Sequence, residues 1–353
     1  MNLEELRRCI DDIDRQILRL LNDRASLAAR SAEEKRKRGE DAYDPDRERK
    51  ILEAIEQANS GPLGQTALRI IFGEIVSACR ALERATRVAF LGPLGTFSHV
   101  AARRHFGSSA TLLPLPSFRD VVEETQKGNA DYGLLPVENS TDGPLGETLD
   151  LMAESSLSIC AETYVEVHHC LLSRSPLNEI DKVYSLPVVH RQCRGWIRNN
   201  LPNAQLLEAA STADAAGRAA KENGSAAIAT AISAEVYGLN VVAENIEDLS
   251  HNRTRFAVLG GRLPPPTGKD KTSLLFSTKD EPGTLCRALA VFERAKLNLS
   301  LIQSRPDRRT PWQYIFFLDC AGHQADERVQ KALADLKEVT TYIKVLGSYP
   351  EGE

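Results

Sequence analysis

The chain has 353 residues, a length that at roughly 150 residues per domain predicts two or three domains rather than one core. Its hydrophobic content of 42% suffices for packed cores, while a net charge of −5 excludes nucleic acid as the main partner, so any anionic ligand needs a local basic pocket. Cys9, Cys79, Cys160, Cys170, Cys193, Cys286 and Cys320 are scattered and never spaced C-x-x-C, which predicts reduced thiols and neither disulfides nor zinc, and "MNLEELRRCIDDID" has no apolar leader, which predicts a soluble, cytoplasmic protein.

Residues 1 to about 84 carry a long helical period. Leu6, Ile10, Ile13, Ile17, Leu20 and Leu27 form the seam of packed helices, with Arg24 occupying the seam position between the last two. This part reads as all-α, with a second helix from Pro45 and a third around "TALRIIFGEIVSACRALER". One inward arginine alone reads as half of a salt bridge. Lys35, close to three turns further on, points the same way, and "DPDRER" offers Asp44, Arg47 and Glu48 at the start of the next helix. Several inward cations beside polar groups describe a pocket for a small anion, and arginine suits carboxylates because its planar fork binds them bidentately.

From Arg87 the pattern changes to short apolar runs ("VAFLG", "YGLLPV", "HHCLL", "AAIAT") separated by Gly/Pro turns and Ala-rich helices, which reads as α/β. "RVAFLGPLGTFSHVAARRHFG", residues 87 to 107, runs a strand through a Gly-rich turn into a helix, where backbone N–H groups and the helix dipole favour an anion. Its spacing matches neither G-x-G-x-x-G nor a P-loop. After "RFAVLGG" the Pro-rich connector "RLPPPTGKDK" marks a domain boundary, and the remainder reads β-α-β-β-α-β, a ferredoxin-like order.

"LRRCIDDIDRQILRLLNDRASLAARSAEEKRKRG", "YDPDRER" and "IFGEIVSACRALE" resemble the all-helical chorismate mutase domain over the whole first segment. The resemblance implies that Arg7, Arg24, Lys35, Asp44, Glu48, Cys79 and Glu83 bind chorismate, although Cys79 stands where a serine is usual and Glu83 where a glutamine often is. The implied reaction, chorismate to prephenate, is a pericyclic step without nucleophile, cofactor or metal, catalysed by positioning and electrostatics. In it Arg7 and Arg24 hold the two carboxylates, Lys35 and Glu83 hydrogen-bond the ether oxygen, and Glu48 with Asp44 binds the ring hydroxyl. Arg7 and Arg24 are 17 residues apart, about 25 Å along one helix, so a shared substrate requires Arg7 from a second chain.

"GPLGTFSHVAA", "DYGLLPVENSTDGPLGETLDLM", "QCRGW", "STADAA" and "NRTRFAVLG", in that order, resemble prephenate dehydratase. By this resemblance the Gly92–Gly95 turn lines a cleft between two α/β subdomains, as in two-lobed periplasmic binding proteins, and its anion is a substrate carboxylate. Thr254 of "TRF" is the expected donor to the departing hydroxyl of prephenate, and Arg255 contacts a carboxylate or braces the loop. Thr96, Ser98, Asn139, Ser140, Thr141, Ser211 and Thr212 are candidate wall donors, with Glu138 a candidate proton source. His168 and His169, adjacent in a strand, would face opposite sides and share no metal or catalytic role. "SLPVVHRQCRGW" has Leu186 and Val188 where the family commonly has His and Gln after the serine.

"EPGTLCRAL", "NLSLIQSRP", "WQYIFFLDCAGH" and "LGSYP" resemble the ACT domain of the same enzymes. Such domains bind phenylalanine across a dimer interface. The implied effector residues are Gly283, Thr284, Leu285, Cys286, Asn298, Gln303, Ser304 and Arg305, with Gln303 replacing the family's glutamate and Cys286 a more usual valine or tyrosine. The expected organisation is residues 1–85 mutase, 87–262 dehydratase and 271–353 ACT, in a homo-oligomer (dimer or tetramer) with no cofactor, no metal, no nucleic acid and no membrane. Two other readings are a non-catalytic aromatic-ligand sensor and a dehydratase whose mutase domain serves only for dimerisation.

Overall fold

The computed structural model describes residues 1–37, 45–82, 85–249, 251–307 and 313–352. The chain forms two compact units, residues 1–87 with 106–111, and residues 88–105 with 112–353.

The first unit holds α1 (Leu3–Lys37), α2 (Pro45–Ala58) and α3 (Gln65–Ala81). A capping box starts α1: Asn2 Oδ1 accepts from the Glu5 amide at 2.9 Å, and Glu5 Oε2 accepts from the Asn2 amide at 2.9 Å. α3 lies against both other helices and buries Leu68, Val76, Cys79 and Arg80. α1 is about 50 Å long against about 25 Å for α3, so much of its seam has no cover among the described residues. Leu6, Ile10, Ile13, Ile17, Leu20 and Leu27 are exposed, Leu20 by 66%.

The second unit opens with β1 (Arg87–Leu91), α4 (Phe97–Phe106), β2 (Thr111–Leu115), α5 (Phe118–Gln126), β3 (Tyr132–Asn139), β4 (Gly143–Pro144), α6 (Gly146–Glu154) and β5 (Ser158–Glu166). The chain then crosses into a second lobe: β6 (Cys170–Ser173), β7 (Lys182–Ser185), α7 (Pro187–Gln192), α8 (Arg194–Asn200), β8 (Gln205–Glu208), α9 (Thr212–Ala219), β9 (Ser225–Ala229), α10 (Ala231–Tyr237) and β10 (Asn240–Ala243). It returns as β11 (Arg253–Gly260), inserted between β3 and β5, so the first sheet has the order β2-β1-β3-β11-β5 and the second β10-β6-β9-β7-β8. Two crossovers therefore join the lobes, the arrangement of two-lobed binding proteins. Leu186 and Val188 pack against the second lobe's core beside Ile197 and Ile228, which gives these two apolar residues a packing role.

β12 (Asp270–Ser277), α11 (Thr284–Arg294), β13 (Leu299–Pro306), β14 (Tyr314–Ala321), α12 (Glu327–Val339) and β15 (Tyr342–Pro350) complete the chain as the expected β-α-β-β-α-β unit, with sheet order β13-β14-β12-β15. Its helices cover one face through Phe276, Ala288, Phe292 and Leu336. The other face joins the core of the first lobe, where Leu275, Phe317, Leu346 and Tyr349 meet Leu135, Val137, Leu149 and Ile159. β15 approaches β5 so closely that a Cβ on Gly347 would stand 2.1 Å from the Ile159 carbonyl oxygen, which leaves room only for glycine. Among the described residues no helix is long and apolar enough to cross a membrane.

Candidate functional site

Thr254 and Asn139 are brought together by register. Thr254, near the start of β11, pairs directly with Asn139 at the end of β3, so two motifs 115 residues apart become cross-strand neighbours. Asn139 Oδ1 accepts from the backbone N–H groups of Thr141 and Asp142 at 2.9 and 3.1 Å, which fixes which end of the amide is oxygen. Nδ2 must then donate, and it does so to Asn252 Oδ1 at 2.7 Å and to Thr254 Oγ1 at 2.9 Å. With that bond accepted, the Thr254 hydroxyl directs its own proton away from Asn139. Ser140 ties the same corner, since its Oγ donates to the His251 carbonyl and accepts from the Arg253 amide at 2.9 Å.

The Gly-rich turn sits at the lobe boundary but does not offer its glycine N–H groups to a ligand. Gly92 N–H donates to the Leu115 carbonyl at 2.8 Å and Gly95 N–H to His99 Nδ1 at 3.1 Å. Both of these donors are spent in holding the turn. Gly95 has φ +93° and its carbonyl accepts from Thr230 Oγ1 (2.6 Å) and Ser233 Oγ (2.7 Å) of the second lobe, so it pins the two lobes together. His99 stacks on Phe90, and burial, then the nearby Arg103, holds its pKa below the ordinary value, which keeps Nδ1 free to accept. Thr96 turns its hydroxyl onto the Leu91 and Pro93 carbonyls, and Ser98 is buried in the first turn of α4. In the second lobe Ser211 caps α9 by accepting from the Asp214 amide at 2.9 Å, with Thr212 buried beside it. His99, Thr230 and Ser233 are absent from the sequence expectations; the spacing of four from Gly95 to His99 on a helix start is the one local signal for the first of them.

Arg255 and Glu138 lie on the opposite faces of β11 and β3 from Thr254 and Asn139, as strand alternation requires. Arg255 is 6% exposed and its guanidinium is held by Glu162, Asp319 and Tyr349; Glu138 stands 4.0 Å from Arg255 Nη1. His168 and His169 lie in the first crossover rather than in a strand, and their rings take different partners. His168 Nδ1 meets Glu247 at 2.8 Å, whereas His169 Nε2 meets Gln192 at 2.9 Å.

In the helical unit, Arg24 Nη1 donates to Cys79 Sγ at 2.9 Å, which joins two expected site residues from α1 and α3. Glu48 is paired with Arg80 of α3 at 2.5 Å, a buried cation missing from the sequence expectations although it follows Cys79 on the buried stripe of α3. Lys35 is half-buried near the end of α1, and Arg7 is exposed at its opposite end. Asp44 and Glu83 lie outside the described residues.

Three family profiles match the chain in order: "Chorismate mutase type II" over residues 6–84, "Prephenate dehydratase" over 88–263 and "ACT domain" over 272–338. A protein of Aquifex aeolicus described as "Bifunctional chorismate mutase/prephenate dehydratase" is 46% identical over 99% of this chain and 98% of its own. The chain belongs to the bifunctional chorismate mutase/prephenate dehydratase family. A relative of the same description from Stutzerimonas stutzeri is 40% identical over 99% of this chain and 98% of its own. Among solved structures, prephenate dehydratase from Arthrobacter aurescens in complex with L-Phe superposes with TM-score 0.70 at 35% identity, covering 75% of this chain and 90% of that one.

In the ACT domain of this family member, Gly283, Thr284, Leu285 and Cys286 line an open pocket of about 330 Å³ together with Tyr314 and Phe316 of β14. Gly283 has φ +80° at the start of α11, and Thr284 Oγ1 donates to the Lys279 and Glu281 carbonyls at 2.9 Å, which shapes the loop. Asn298, Gln303, Ser304 and Arg305 do not line this pocket. They lie on or just before the edge strand β13, and Arg305 is turned to Asp150 of α6 through two bonds of 2.7 and 2.9 Å.

Proposed function

We propose that the chain converts chorismate to prephenate in its helical unit and prephenate to phenylpyruvate in its two-lobed domain, under feedback inhibition by phenylalanine at the ACT domain. The observation that carries the second reaction is the Asn139–Thr254 pair, whose fixed amide leaves the threonine hydroxyl as a donor. In that reaction the ring carboxylate departs as carbon dioxide, its electron pair aromatises the ring and expels the ring hydroxyl, which gains a proton and leaves as water. A donor at the departing oxygen lowers the barrier because negative charge develops there only in the transition state. Thr254 is that donor. Asn139 and Asn252 hold it in place, and Ser98, Ser140, Thr141, Ser211 and Thr212 belong to the surrounding walls.

For the first reaction, Arg24 beside Cys79 holds one carboxylate of chorismate and Arg7 the other, Lys35 and Glu83 hydrogen-bond the ether oxygen, and Glu48, oriented by Arg80, takes the ring hydroxyl with Asp44. Arg7 is supplied by a second copy. This is supported by the exposed seam of α1, an apolar stripe of the kind that marks an interaction surface, and by the ~25 Å between Arg7 and Arg24 on one straight helix. The working protein is a cytoplasmic homo-oligomer, a dimer or a tetramer, divided at 1–85, 87–262 and 271–353, limits that the three family matches support. A second copy across the edge strand β13 would also bring Asn298, Gln303 and Ser304 to the Gly283–Cys286 pocket. Purified protein given chorismate, then prephenate, with prephenate loss and phenylpyruvate formation followed separately and with phenylalanine titrated, tests the reading. Absence of either turnover overturns the corresponding half.

A further inference from the structure

Arg255 is the residue after Thr254, yet its side chain is built into a different site. All three guanidinium nitrogens donate to fixed acceptors: Nε to Glu162 Oε2 at 2.7 Å, Nη1 to Asp319 Oδ2 at 2.5 Å and Nη2 to Tyr349 Oη at 2.8 Å. Glu162 belongs to β5 of the dehydratase lobe, whereas Asp319 and Tyr349 belong to β14 and β15 of the ACT domain. Lys271 of β12 closes the cluster on Glu162 at 2.9 Å, and Ser273 Oγ bonds both Asp319 and Tyr349 at 2.5 Å. Two cations and two carboxylates balance, and Arg255, Glu162, Asp319, Lys271 and Tyr349 are each buried. A buried network of this kind tolerates only one arrangement, because an unpaired charge in it is heavily penalised.

Two consequences follow from its position. A guanidinium beside the ring carboxylate of prephenate would stabilise the group that must be lost, so its removal from the Thr254 face suits decarboxylation. Asp319 also shares β14 with Phe316 and Tyr314 of the Gly283–Cys286 pocket, three and five residues away, or about 10 and 17 Å along the strand. A shift of β14 on occupation of that pocket reaches Arg255 directly, and Thr254 is its neighbour on β11.

We propose that Arg255 is a positioning residue and not a prephenate ligand: it fixes Thr254 through β11 and, through Asp319, ties the donor to the state of the ACT pocket. The inference rests on the dehydratase and effector reading given above.

The test uses the full chain with Asp319→Asn, which removes a counter-charge of Arg255, and Tyr349→Phe, which removes an acceptor oxygen, each nearly keeping the side chain's shape, and Arg255→Lys as the conservative variant. A cooperative calorimetric unfolding transition of the second unit, which holds all three residues, reports that each variant is folded, and mutase turnover in the other unit serves as an internal control for enzyme concentration. The expected result is that Asp319→Asn and Tyr349→Phe lower dehydratase kcat with KM for prephenate within ~2-fold of wild type, and raise the half-inhibiting phenylalanine concentration at least ~5-fold, the low end of typical coupling between sites. If Asp319→Asn does not fold, Tyr349→Phe carries the test, since it deletes a single oxygen. Unchanged phenylalanine inhibition in the folded variants overturns the proposal. So does an Arg255→Lys variant whose KM rises ~10-fold or more at constant kcat, the behaviour of a substrate ligand. A wild-type chain that makes no phenylpyruvate, or is indifferent to phenylalanine, overturns the underlying functional reading instead.

Discussion

Asn139 uses both N–H bonds and both lone-pair directions of its amide, which makes it intolerant of isosteric change. Asn139→Asp preserves the volume but replaces the donor facing Thr254 with an acceptor. The Thr254 hydroxyl then turns inward to satisfy the new carboxylate and is lost to the substrate. Both Asn139→Asp and Thr254→Ala should lower phenylpyruvate formation by at least ~100-fold, the usual scale for a missing transition-state donor, while prephenate formation from chorismate is unchanged. Parallel assays of the two activities check this; equal loss of both would instead indicate misfolding. The sequence singled out both residues. Their hydrogen bond, and the spent amides of Gly92 and Gly95, follow from folding.

At the scale of elements, the two crossovers between lobes are latched to each other. Val167 N–H donates to the Asn252 carbonyl at 2.8 Å, Ile246 N–H to the His169 carbonyl at 3.0 Å, and His168 of the first crossover pairs with Glu247 of the second. The Glu247 hydrogen bond holds the His168 pKa above its ordinary value, with burial opposing it and Glu166 adding to it. A raised folded-state pKa contributes stability in full below the unfolded value of about 6.5, and loses it as pH rises through the folded value. The melting-temperature difference between wild type and His168→Gln should therefore shrink from about pH 5.5 to about pH 8.5; a constant difference would show that the pair does not titrate in this range. The other element with a consequence is α1. Its helical period was evident in the sequence, and its single span of Leu3–Lys37 keeps Arg7 and Arg24 apart. Co-refolding inactive Arg7→Ala and Arg24→Ala chains should restore mutase turnover, because about half the dimers pair one chain of each kind and keep one intact composite site. Subunit exchange shown by tagged-chain capture, with no recovered turnover, would rule out the shared site.

At the scale of the whole second unit, the ACT sheet is not a detachable module. Leu301, Phe317 and Leu346 face Val137, Leu149, Met152 and Ile159 across a shared core, with the Arg255 cluster beside them. Burying a large aliphatic or aromatic side chain is worth about 1.5–3 kcal/mol, so removing residues 271–353 strips several such contributions and exposes an apolar face. The truncated chain should melt at a markedly lower temperature and associate, and its loss of phenylalanine inhibition should come with a loss of dehydratase turnover. Calorimetry and light scattering check this; a monodisperse truncated enzyme with wild-type dehydratase kcat would show that the interface contributes little.

Three classes of local pattern, the helical seam of residues 6–27, the short apolar runs from Arg87 and the β-α-β-β-α-β order after the connector, were sufficient by themselves to determine three kinds of fold in sequence, because periodicity and turn chemistry act between near neighbours. The ordered motifs likewise brought Thr254, Asn139, Arg24 and Cys79 to notice. What the chain order could not determine was the direction and partner of each polar side chain. Arg255 and Thr254 are consecutive, and only the register of β11 between β3 and β5 sends one to the donor cluster and the other to acceptors 64 and 94 residues further along the chain. Arg305 similarly pairs with Asp150 of α6, 155 residues distant in sequence, a partner that nothing in its own strand announces. Tertiary structure decided these cases because a buried charge takes the nearest counter-charge that the packed sheets offer, and that proximity exists only after the domains have docked.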